Sequence, residues 1–293
     1  MQLPSDYLRF FSDISRKDLS VIEKKWADIP EENKISLLSE LNVLMQKDSL
    51  ILCDDLGKFA IKDPNPVVRV KAIDLLSECG EASLAETLIS MHQNDANLDV
   101  QIASVKALGR FLLLGELDEI SNDLFSRILE SLLEQYQTGI SDTLDQEILI
   151  SIGYANKEIV SEKIRNAFKR DDPGWKYAAI TAMGRSEDPN WEPEIFSSLK
   201  NDDSKILTAA VKSAGELNLS RAFPILMELL ESEEGDAELD HELIFALAKV
   251  GGAEARSLIE VELENAETEE EIEDIQAALD IIDFEDQLPH LDL

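Results

Sequence analysis

The sequence predicts an all-α protein, an α-α superhelix of about seven to eight helix pairs. The main reason is a repeated marker, an apolar helical segment that ends in a small residue. Its copies are KAIDLLS (Lys71–Ser77), SVKALG (Ser104–Gly109), ILISIG (Ile148–Gly153), AITAMG (Ala179–Gly184), AVKSAG (Ala210–Gly215), LIFALA (Leu243–Ala248) and DIQAAL (Asp274–Leu279). Their last residues are spaced by 31–33, except for one step of 44 between Gly109 and Gly153. A fixed period of this size marks a stacked array rather than a single globule. The second reason is periodicity: apolar residues recur at helical spacing, and no stretch sustains the alternation of a strand. The third is punctuation at a constant phase, as in Asp63-Pro64-Asn65-Pro66 and Asp172-Pro173-Gly174, where proline suits only the first helical turn.

Taken in order, residues 1–30 read as an N-terminal capping helix pair. Its helices cover Asp6–Ser12 and Lys17–Ala27, with Phe10, Phe11, Leu19, Ile22 and Trp26 as apolar anchors and Pro30 as the step into the array. Residues 31–268 form the repeats. In a typical unit Val68, Ala72, Ile73, Leu75 and Leu76 give the first helix an apolar face. Gly80 is expected to stop that helix with a positive φ, and Leu84, Leu88, Ile89 and Met91 line the second. The long step places an insertion around Gly115–Asp123. The small residues Gly109, Gly153, Gly184, Gly215 and Ala248 are expected to be notches that let the two antiparallel helices of a pair approach. Residues 269–293 are an acidic C-terminal capping helix and tail, because terminal repeats need a polar outer face.

The pattern of Asp63, Pro66, Val68, Arg69, Ala72, Leu76 and Gly80 resembles the HEAT repeat, and so the HEAT/armadillo-like solenoid. More narrowly it is similar to the short bacterial HEAT-like type of phycocyanobilin lyase subunits, over about residues 31–268. The resemblance implies a right-handed superhelix whose second helices line a concave surface. It also implies a scaffold that grips other proteins, with enzymes a minority of the family.

Charge narrows the partners. Lys and Arg number 27 against 61 Asp and Glu, a formal charge of −34. From Glu228 to the end there are 23 acidic and two basic residues, so −21 of the total sits in the last 66 residues. Nucleic acid, which needs a basic face, is an unlikely ligand on this composition, and a basic protein or peptide is the expected partner. No apolar run is long enough to span a bilayer, and the N-terminus lacks the order of a signal peptide. Two cysteines fit a reducing, cytoplasmic setting. One window opposes the trend: Lys157 to Arg185 is net +3. Its Lys163, Arg165, Lys169, Arg170, Lys176 and Arg185 either pair with neighbouring carboxylates or form a docking patch for an acidic partner or the chain's own tail. The last segment, Asp283–Leu293, with Phe284, Leu288, Leu291 and Leu293, reads as a frayed end or a short docking segment.

Catalytic, metal and cofactor sites are not expected. The three histidines, His92, His241 and His290, are far apart, and neither H-x-x-x-H nor C-x-x-C occurs. Cys53 and Cys79 read as buried thiols, and no phosphate-cradling glycine loop is present. His241-Glu242 resembles one His-Glu pair of deoxyhypusine hydroxylase, a HEAT-like di-iron enzyme. Two irons need several such pairs, and the equivalent positions here are Arg69-Val70, Gln101-Ile102 and Lys176-Tyr177. A bilin lyase-like or hydroxylase-like enzyme is therefore the alternative to a non-enzymatic scaffold. Trp175, Tyr177 and Trp191 beside Lys176 and Arg185 resemble the basic aromatic face of HEAT-like DNA glycosylases, but Trp175 aligns with core Val68. Asn201-Asp202-Asp203-Ser204 reads as a helix stop and N-cap rather than a calcium loop.

Overall fold

The computed structural model describes residues 5–12, 14–48, 50–232, 237–266 and 268–287. The described residues form helices, turns and loops without a strand, which is the expected all-α, α-α superhelix class. The chain divides into two compact units, Met1–Ile152 and Gly153–Leu293. The first holds α1 (Ser5–Leu8), α2 (Arg16–Trp26), α3 (Glu31–Lys47), α4 (Asp54–Ala60), α5 (Pro66–Leu75), α6 (Ala82–Asn94), α7 (Leu98–Glu116), α8 (Asn122–Gln135) and α9 (Asp142–Ile152). The second holds α10 (Glu158–Phe168), α11 (Pro173–Arg185), α12 (Glu192–Ser198), α13 (Ser204–Glu216), α14 (Phe223–Glu231), α15 (Ala237–Val250), α16 (Ala253–Asn265) and α17 (Glu269–Gln287).

Local chemistry sets the helix starts. The side chains of Ser15, Asn65, Asn97, Ser121, Asp172 and Asp203 each accept a hydrogen bond from a backbone N–H of the first turn. Pro66 and Pro173 occupy that turn, where no N–H is needed. The helix stops differ from expectation. Gly80 has no positive φ; instead Asp118 and Asn218, at 59° and 48°, take the left-handed position after α7 and α13. The N–H of Leu219 bonds the Ala214 carbonyl at 3.0 Å and that of Asn218 bonds Gly215 at 3.0 Å, a Schellman closure. Short polar side chains tolerate this conformation better than other non-glycine residues.

In the first unit the N-terminal cap is fastened through one buried group. The Asp63 carboxylate accepts from Trp26 Nε1 at 2.7 Å, from Lys34 Nζ at 3.0 Å and from the Asn65 N–H at 2.8 Å. Burial alone would push its pKa up, but those donors hold it below the ordinary carboxylate range. Arg69 then joins two turns: its guanidinium grips Asp95 at 2.7 and 2.9 Å and donates to the carbonyls of Asp63 and Pro64. Thus Asp63 and Arg69, read in the sequence only as motif residues, stitch consecutive pairs together. Of the expected cap anchors, Trp26 is buried, Phe11 is half-buried and Phe10 is exposed, while Leu8 and Ile14 supply the burial in its place.

The small residues act between pairs, not within them. A Cβ on Gly109 of α7 would meet Ser151 of α9, 3.1 Å from its Oγ. In the second unit a Cβ on Gly153 would come within 2.8 Å of the Ala182 backbone in α11, and one on Gly215 within 2.8 Å of Ala246 Cα in α15. Gly184 faces Ser213 and Glu216 of α13 in the same way. The notches therefore bring together first helices of consecutive pairs, which run parallel. A notch inside a pair is Gly115 of α7 against Phe125 of α8, while Gly57 of α4 meets Leu76 at the end of α5, in the next pair. In the second unit α11, α13, α15 and α17 pack one on the next, while no comparable contact among the described residues joins α12 to α14 or α14 to α16. The first helices of this unit therefore form its more closely packed row.

The insertion also differs. Gly115 lies inside α7 and Asp123 inside α8. With 19 and 14 residues, these helices exceed the 13 and 9 of α13 and α14. The extra length is about three helical turns shared by two antiparallel helices, which keeps the neighbouring pairs in phase.

Candidate functional site

The position immediately after each marker forms a ladder that the sequence reading missed. In the first unit Glu78 and Arg110 occupy it and pair at 3.0 Å. In the second, Tyr154, Arg185, Glu216 and Lys249 occupy it. The Arg185 guanidinium lies 4.8 Å from the Tyr154 ring centre. Glu216 sits between Arg185 and Lys249; burial pushes its carboxyl pKa up, against the pull of Lys249, Lys212 and Arg185. Its carboxylate occupies the space that a side chain on Gly184 would fill. One turn away, Lys212 donates to Glu242 at 2.7 Å, and this hydrogen bond keeps the ammonium pKa raised although burial opposes it. His241 Nδ1 lies 3.1 Å from Asp274, and its ring is 4.7 Å from that of Phe245. Lys212, His241, Glu242, Phe245, Ala246 and Lys249 line a shallow cleft of about 150 Å³ on this row. The signal was visible as a phased charge one residue past the small residue.

The residues of the expected docking patch lie on α10, α11 and the turn between them. Their described neighbours are mainly aromatic rings. Arg170 stacks 3.8 Å from the Trp175 ring centre, and Lys176 lies 5.9 Å from Phe168, both near the start of α11. Arg165 lies over Trp191 at 5.3 Å, and Arg185 over Tyr154 at the far end of α11. Lys163 is half-buried on α10 and Lys169 is exposed just after it. No ion pair to a described carboxylate joins Arg165, Lys169, Arg170 or Lys176, so ring faces, not carboxylates, hold three of these cations. Trp175 and Trp191 are buried, as packing requires. The tail call falls differently: Asp283 meets Arg256, Phe284 is exposed, and residues from Leu288 onward, His290 included, lie outside the described residues.

Three groupings have the elements of chemistry. His92 Nε2 contacts Ser131 and Nδ1 contacts Gln135, a nucleophile-and-base outline. Both His92 and Ser131 are buried, burial holds the imidazole pKa down, and an amide rather than a carboxylate sits behind the ring. Asp54, Cys79 and Glu81 lie within 4.8 Å of one another by their ligand atoms. Burial raises the Cys79 pKa and Asp54 accepts from the thiol, which disfavours the thiolate, while Lys58 is already paired with Glu81 at 2.6 Å. His241 and Glu242 face different neighbours, Asp274 and Lys212, and so do not fit a shared iron. Among the described residues no helix is long and apolar enough to cross a membrane.

Residues 53–150 and 161–248 match a family model described as HEAT repeats. Similar solved structures share only 14% identity. They are YibA from Escherichia coli (TM-score 0.46, covering 97% of this chain and 98% of that one) and human deoxyhypusine hydroxylase in complex with glycerol (0.41, 96% and 98%). A Kap121p mutant aligns with a TM-score of 0.45 over 85% of this chain and 30% of its own, at the same 14% identity. No curated protein matches the sequence.

Proposed function

The chain belongs to the HEAT-repeat family, and on that premise we propose that it is a non-enzymatic scaffold or adaptor that binds a basic protein or peptide in a reducing, cytoplasmic setting. The observation that supports this most is the distribution of exposed carboxylates on α16 and α17. Glu254, Glu264, Glu269, Glu273 and Asp280 are exposed there without a described cation, and the pairs His241–Asp274, Arg256–Glu260 and Arg256–Asp283 offset little of the charge. Such a surface attracts a cationic partner over long range and selects against acidic ones. The row of first helices adds a polar, ion-paired face suited to contact rather than to chemistry. Buried Cys53 and Cys79, both free thiols, agree with a reducing compartment.

The test is affinity capture from a native lysate across a salt series, with iron content and visible spectra measured on the purified protein. Basic partners released as salt rises are expected. Acidic partners, or binding indifferent to ionic strength, would overturn the choice of partner. Stoichiometric iron or a bound chromophore would overturn the scaffold in favour of the hydroxylase-like or lyase-like alternative.

A further inference from the structure

Exposed apolar side chains concentrate at the N-terminal end of the first unit. Leu50 is 83% exposed, Phe10 56% and Leu52 47%. They stand beside a cleft of about 170 Å³ lined by Phe11, Ile14, Leu52, Asp54, Asp55, Lys58 and Glu81. The cleft is held open by fixed contacts: Arg9 pairs with Asp48 at 2.9 Å, and the Leu52 N–H donates to Ser12 Oγ at 3.2 Å. Phe10 and Phe11 meet edge to face at 5.6 Å. Phe11, Ile14 and Leu52 give the cleft an apolar side, and Asp54, Asp55 and Glu81 set three carboxylates against the one ammonium of Lys58. Lys58 lies 2.6 Å from Glu81 and 3.8 Å from Asp54, where it holds the position of a cation.

We propose that this cleft docks an amphipathic basic segment of a partner protein, seating a leucine or aromatic side chain on Phe11, Ile14 and Leu52 with a lysine or arginine against Asp54, Asp55 and Glu81. Charge selects this occupant. A second copy would bring another −34 toward the same rim, and an anionic lipid surface would be repelled by it. A basic segment gains on both counts, covering apolar area and replacing Lys58 as the partner of Glu81. The inference rests on the basic-partner reading and adds a place and an apolar requirement to it.

Fluorescence anisotropy with a short labelled Leu/Lys amphipathic peptide, and with its Ser/Lys counterpart, tests it on the full chain. Leu52→Asp is expected to weaken the Leu/Lys peptide about tenfold although it adds a negative charge. Lys58→Met is expected to tighten it about threefold by removing the competing ammonium. Circular dichroism checks that the variants fold, and the milder Leu52→Ser replaces Leu52→Asp if that variant does not. Unchanged or tighter binding by both leucine variants, with salt dependence intact, would overturn this cleft and leave the basic-partner reading standing. Failure of the wild-type chain to bind either peptide at low salt would overturn both. Self-association lost in Leu52→Ser would make the occupant a second copy and overturn the proposal.

Discussion

The two ends of the array solve the capping problem by opposite means. At the N-terminal end, Trp26, Lys34 and Asp63 form a nearly dry ion pair with an indole donor, and apolar side chains remain on the outside. At the C-terminal end, α17 buries the single stripe of Ile275, Ala278 and Ile282 and turns acidic faces to water. One cap is fixed by a group that cannot lose its partner, the other by a thin apolar seam under self-repulsion. An array end can thus be closed by satisfying a buried charge or by exposing many unsatisfied ones, and the two respond differently to pH, salt and mutation.

The largest expected effect breaks the first solution. Asp63→Ala leaves the Lys34 ammonium buried without a counter-charge and should cost about 3–5 kcal/mol in urea unfolding. Replacing both residues, as Lys34→Met with Asp63→Leu, should recover much of that loss; no recovery would mean that the cap depends on the charges themselves. The pH dependence has a definite sign. Because the folded Asp63 pKa is lowered, its contribution is complete above the unfolded carboxylate value and disappears as pH falls through the depressed folded value. Acid should therefore loosen the N-terminal end, which hydrogen exchange at Trp26 and Leu38 would detect.

Next in size are the notches. Gly215→Ala drives a methyl into the Ala246 backbone and Gly184→Leu displaces Ser213 and Glu216, so each should cost about 1–3 kcal/mol or more. Gly80→Ala, whose Cβ would find its nearest neighbour at 3.5 Å, should change the melting temperature little. Equal effects at Gly80 and Gly215 would contradict the parallel packing of first helices. Added monovalent salt should raise the melting temperature by a few degrees through screening at the acidic end, and a decrease would contradict self-repulsion as its weakness. The smallest effect is expected from His241→Asn, at most about 0.5 kcal/mol, because its pair with Asp274 is exposed. Iron content that fell with this variant would instead mark the histidine as a ligand.

Much of the fold was legible because a repeat imposes the same local requirements again and again. Pro66 and Pro173 open helices, Asn65, Asp172 and Asp203 cap them, and the phased apolar residues face the interior. Less was legible wherever the answer depended on which neighbour a residue meets. Gly109 and Gly215 announced a close contact but not whether the partner helix ran parallel or antiparallel. The basic window from Lys163 to Arg185 showed its charge, yet at Arg165, Arg170 and Lys176 the rings of Trp191, Trp175 and Phe168 took positions that carboxylates were expected to hold. Nothing in the sequence around Glu216 signals that Gly184 of the previous pair makes a seat for it.

The sequence by itself determined the helical repeat, its period, the starts of its helices and the uneven distribution of charge, because all of these follow from backbone preferences and composition along the chain. Only the tertiary structure decided that first helices form the tight row, that Asp63 anchors the N-terminal cap and that an acidic-rimmed cleft with one apolar side lies beside it. Those features arise between side chains some 30 residues or more apart, as with Trp26 and Lys34 on Asp63, where contact distance and exclusion of water set the energy and neither is written in local order.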